Sequence, residues 1–108
     1  MSQELTKEQV RERFLKHISA LVDDWHNQNQ STIARMEGLA FSILVLLDGE
    51  SADLPAFTVS PCPHETDMAY AKERGEDWYP QEGMDISGGL HEKWHEIRRA
   101  TAKVKRED

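Results

Sequence analysis

Apolar residues recur at steps of three and four near the start of the chain. Val10, Phe14, Ile18, Leu21, Val22 and Trp25 fall on one stripe of a helix. Thr6-Lys7-Glu8-Gln9 supplies its beginning, because a threonine hydroxyl and a glutamine amide three residues later can each accept the other's free backbone N–H. The pattern predicts a helix over about 6–26. A polar run from Asn27 to Thr32 follows, rich in turn and cap formers, with Ser31 or Thr32 placed to cap a second helix over about 32–47. The stripe continues through Ile33, Met36, Ala40, Ile43 and Leu47, so one unbroken helix is the rival reading. At about forty residues it would be close to 60 Å long, could not bury itself in one small chain, and would demand a dimer.

The second helix is apolar nearly all round from Leu39 to Leu47, which makes it the central element, needing cover on several sides. Gly38 costs about 1 kcal/mol relative to alanine inside a helix, and its presence predicts a close helix–helix approach. Asp48-Gly49 ends the helix. Beyond it the period changes. Leu54 to Pro61 reads as a short proline-bounded strand with Phe57 and Val59 on one face. Trp78, Tyr79 and Ile86 offer a partner, giving a small β-hairpin over about 55–60 and 78–87. A short helix over about 66–74 separates the two strands and stops at Gly75. Gly88-Gly89 precedes a C-terminal helix over about 90–103, with Leu90, Trp94, Ile97 and Thr101 as its stripe. Residues 104–108 are expected to fray. The predicted fold is α+β, predominantly helical, built on an N-terminal helical hairpin.

At 108 residues and without internal repeats, the chain is expected to be a single domain over 1–108. The net charge of −7 is unevenly placed. Residues 48–85 carry ten acids and two bases, whereas residues 91–108 carry six bases and four acids. Phosphate contacts need clustered cations, so this distribution argues against nucleic-acid binding. The apolar run Leu39–Leu47 is far short of the roughly 20 residues that span a bilayer. Together with the polar start Met1–Gln9 and a single cysteine, Cys62, this leads to the expectation of a cytoplasmic protein without a membrane span.

One motif invites an enzymatic reading. His91-Glu92-Lys93-Trp94-His95 matches the helix-borne H-E-x-x-H pattern, in which two histidines one turn apart hold zinc and the glutamate acts as base. A zinc hydrolase needs a third ligand, and only thirteen residues follow His95. His64, Glu65 or Asp67 would have to fold back. Five histidines in a glutamate-rich chain also make a chance match easy. The simpler reading is a solvated helix whose histidines flank a core tryptophan, with no cofactor. Cys62 and His64, bracketed by Pro61 and Pro63, lack a third orienting group for thiolate chemistry. Asp48-x-Glu50-x-x-Asp53 lacks calcium-loop spacing and reads as a polar connection; His17 and His26 read as surface residues. Glu76-Asp77-Trp78-Tyr79 is the stronger candidate for a binding surface, since paired aromatics anchor a partner and flanking acids steer a basic one. Its bland alternative is an aromatic lid folded onto the core.

Three stretches carry a resemblance: Arg35 to Gly49; Leu54-Pro55-Ala56-Phe57 with Pro61-x-Pro63-His64; and Gly75-Glu76-Asp77-Trp78-Tyr79 with Asp85-Ile86-x-Gly88-Gly89-Leu90-His91-Glu92. Over about residues 35–92 the chain resembles a family of short uncharacterised proteins of phages, prophages and bacteria. The resemblance implies a small accessory protein that acts by binding, in a family where the second histidine of H-E-x-x-H is not fixed. The expectation is a non-enzymatic interaction protein, a homodimer that binds a protein partner such as a host factor through Glu76, Asp77, Trp78 and Tyr79. The alternative is a zinc-dependent hydrolase using His91, Glu92 and His95, and metal content separates the two.

Overall fold

The computed structural model describes residues 2–103, and the expected frayed tail at 104–108 lies outside them. Four helices occur among the described residues: α1 (Lys7–His26), α2 (Thr32–Leu47), α3 (Asp67–Glu73) and α4 (Leu90–Thr101). The helical hairpin forms as two separate helices. Thr6 Oγ1 accepts from the Gln9 N–H at 3.2 Å while the Gln9 side chain accepts from the Thr6 N–H at 2.9 Å, completing the reciprocal cap. Ser31 Oγ takes the Ala34 N–H at 3.2 Å and starts α2.

α2 is flanked by α1 on one side and α4 on another, and no close backbone approach joins α1 to α4 among the described residues. At Gly38 the Trp25 ring of α1 lies close against α2. A Cβ built there would lie 2.5 Å from the Trp25 ring, and the same indole donates its Nε1–H to Ser42 Oγ at 2.8 Å. After α2 the chain reverses at Gly49, whose φ of +84° suits glycine and whose missing side chain leaves room for Ala56. Phe57 then meets Phe14 edge-on, ring centres 5.1 Å apart, and its N–H donates to the Leu47 carbonyl at 3.2 Å.

The expected β-hairpin does not form, and among the described residues there is no strand, so the fold is helical rather than α+β. Segments 55–60 and 78–87 still run beside one another. The Ile86 N–H donates to the Val59 carbonyl at 2.7 Å, but the Val59 N–H goes to Asp85 Oδ1 at 2.9 Å instead of to a facing carbonyl. Asp85 also accepts from the Ser87 N–H and hydroxyl, and Ser60 Oγ takes the Met84 N–H. Side chains thus claim the donors a ladder would need, and Pro55, Pro61 and Pro80 have none to offer. The C-terminal stripe also differs from expectation: Ile97 is exposed, while His91, Trp94 and Arg98 turn toward the rest of the chain.

The arrangement is open. Its extents are 52 × 50 × 19 Å and its radius of gyration is 17.7 Å, where a compact chain of this length has about 13 Å. Leu46 and Ala71 are the buried residues among those described, and most of α2 is half-buried. No helix is long and apolar enough to cross a membrane among the described residues.

Candidate functional site

Among the described residues the most highly bonded polar group is the carboxylate of Asp48, at the C-terminal end of α2. A carboxylate is poorly placed there, because the helix dipole puts partial negative charge at that end. The start of α4 reverses the balance. Its N-cap is Gly89, at φ +108°, which has no side chain to accept the first-turn N–H groups. Asp48 supplies the missing acceptor from 43 residues away. Its Oδ1 accepts from the Gly88 N–H at 2.7 Å and its Oδ2 from the His91 N–H at 2.9 Å, with the Leu90 N–H adding to them. The His91 ring joins through Nδ1 at 2.5 Å from Oδ2, so Nδ1 carries a proton and donates.

The Asp48 side chain is 1% exposed and that of His91 18%. Burial opposes ionisation of Asp48, but the His91 backbone and ring donors, then Gly88 and Leu90, outweigh it and hold the carboxyl well below the usual carboxylate range. A second polar contact fixes the far end of α4: Arg98 Nε lies 3.5 Å from Glu37 Oε2, with both side chains largely covered. α2 and α4 therefore run antiparallel, pinned at both ends by charge.

This geometry bears on the H-E-x-x-H match. His91 has committed Nδ1 to Asp48, and the His95 ring stacks on Phe41 at 5.1 Å and 30°. Phe41 also meets His91 edge-on at 5.8 Å. Glu92 is exposed, and among the described residues no group of three or more His, Cys, Asp or Glu side chains gathers to hold a metal. The Cys62–His64 idea finds a different partner: His64 Nδ1 lies 2.8 Å from Thr66 Oγ1 and accepts the Thr66 N–H at 3.2 Å, while Cys62 is exposed. His17 is half-buried, not a free surface residue as expected, and His26 is exposed.

The acidic aromatic stretch lies elsewhere, after α3. Trp78 is 46% and Tyr79 65% exposed, so neither folds inward as a lid. The backbone that carries them is tied to α3 and its approach. The Tyr79 N–H donates to Asp67 Oδ2 at 3.3 Å, and Gln81 Nε2 donates to the Glu65 carbonyl at 2.8 Å. Lys72 Nζ sits 5.0 Å above the Trp78 ring, and Arg74 pairs with Glu76 at 2.9 Å, leaving Asp77 as the acid beside Trp78. The four residues singled out in the sequence share one exposed strip.

The sequence reading missed the Asp48–His91 junction and the Glu37–Arg98 pair. One signal pointed to the first: a helix that starts after Gly88-Gly89 without Ser, Thr, Asp or Asn must borrow its cap from elsewhere. No family model, curated protein or solved structure matches the chain.

Proposed function

We propose that the chain is a non-enzymatic interaction protein, a homodimer of the small accessory kind that phages and prophages carry, which binds a basic protein partner through Glu76, Asp77, Trp78 and Tyr79. The observation that carries this reading is the exposure of two adjacent aromatic rings, at 46% and 65%, on a segment tied down by the Tyr79 N–H and by the Gln81 side chain. Large rings held out in water are costly unless a partner desolvates them, and a fixed backbone lowers the entropy lost on docking. Residues 48–85 carry eight more acids than bases, which favours encounter with a cationic surface. The histidines of α4 serve architecture in this reading: His91 helps Asp48 to seat the helix and His95 packs on Phe41.

Affinity capture from host lysate tests it, with wild type and a Trp78→Ala/Tyr79→Ala double variant compared at low and high salt. A polypeptide retained by wild type at low salt should be lost from the double variant and at high salt. A captured set that the double variant holds equally well would contradict the reading.

A further inference from the structure

We infer that the second copy of the chain docks on the open face of the α1–α2 hairpin, around Leu15, Val22 and Met36, so that two hairpins close into a four-helix bundle. This rests on the homodimer reading above and names its seat. The first observation is area. The chain exposes 8924 Å², where a compact monomer of 12.4 kDa exposes roughly 6,100 Å². The excess, about 2,800 Å², is spread over the whole open chain, and the roughly 800 Å² per partner of an ordinary interface is a fraction of it.

The second observation locates the face. Leu15, Val22 and Met36 are 57%, 47% and 62% exposed. Val22 and Met36 line one groove between the helices, with Leu39 beside them. Leu15 precedes Val22 by seven residues, which places it on the same side of α1 two turns away. A two-helix hairpin with apolar residues on an outer face buries them by packing against another hairpin at a shallow angle.

Charge decides which occupant fits. A molecule at −7 repels its own copy, so self-association belongs where the local charge vanishes. Residues 7–47 hold five acids and five bases, and the whole excess of acid lies outside them. Around Leu15, Glu8, Arg11, Glu12 and Lys16 alternate in sign and pair with each other along the helix. Two such flanks related by a two-fold axis can set acid against base across the interface, as the flanking positions of paired helices do. A strongly basic or acidic partner would find no matching field on this face.

Sedimentation equilibrium of the full chain at tens of micromolar tests the inference, using wild type, Val22→Glu, Met36→Glu and Trp78→Ala. Wild type should show twice the chain mass. Each glutamate variant should weaken association on the order of a hundredfold, by placing charges in an apolar contact twice over, and keep its helical circular dichroism because both sites are exposed in the single chain. Trp78→Ala should remain dimeric. If Val22→Glu does not fold, Met36→Glu alone decides. A monomeric wild type overturns both the dimer and its seat. A dimer that survives both glutamates, or that Trp78→Ala dissolves, overturns the seat and leaves the homodimer reading standing.

Discussion

The two flanks of α2 are built by different means. Toward α1 the contact is a close, mostly apolar fit, with the Trp25 ring over Gly38, an indole hydrogen bond to Ser42 and the Arg35 side chain donating to the His26 carbonyl at 2.9 Å. Toward α4 it is polar at both ends, with Asp48 gathering the first-turn N–H groups and Glu37 meeting Arg98. The apolar flank gains from burial and tolerates no added volume. The polar flank depends on the acceptors that the Asp48 carboxylate offers, so it fails when that carboxylate is removed.

The largest expected effect is on the polar flank. Asp48→Ala strands the Gly88, Leu90 and His91 N–H groups, and should cost about 3 kcal/mol in urea unfolding, with α4 helicity lost first. Asp48 also sets an acid limit. Its folded-state carboxyl ionises below the ordinary value of 3.8, so its contribution is fully present above that pH and is lost as pH falls through the depressed value. The urea midpoint of wild type should therefore drop below about pH 4, and Asp48→Asn should remove that component of the slope.

On the apolar flank, Gly38→Ala sets two terms against each other. Helix propensity favours alanine by up to about 1 kcal/mol, while forcing a methyl into the Trp25 ring costs about 1–3 kcal/mol. The ring cannot swing freely while it bonds Ser42, so overpacking should win by about 1 kcal/mol. A stabilised Gly38→Ala would show that the two helices are not held at this distance. The smallest effect should come from the exposed strip: Trp78→Ala and Tyr79→Ala should leave stability within about 0.5 kcal/mol of wild type. A larger loss would assign those rings to the fold.

The same contrast explains what could be read from the sequence. α1, α2 and their turn were legible because one apolar stripe and local caps specify them, and Gly38 announced the close approach to α1. The α2–α4 contact was not, because its charged partners stand 43 and 61 residues apart and a lone acid after a helix looks like any polar connection. Segment 55–87 misled for a related reason. Val59 and Ile86 do lie together, but Asp85 folds back onto the Val59 N–H and replaces ladder by loop, an outcome that strand patterning does not encode. The strip at 76–79 was legible as a candidate because aromatics beside acids are conspicuous. Its exposure was not, since the same rings could equally have covered a core.

The described residues leave most of α2 half-covered, and the proposed second copy would complete its cover. Urea unfolding followed across a hundredfold range of protein concentration reads this directly. The midpoint should rise with concentration, because folding and association are linked. A midpoint that stays fixed across that range would mean that association adds nothing to the stability of the chain, and that α2 needs no second copy to cover it.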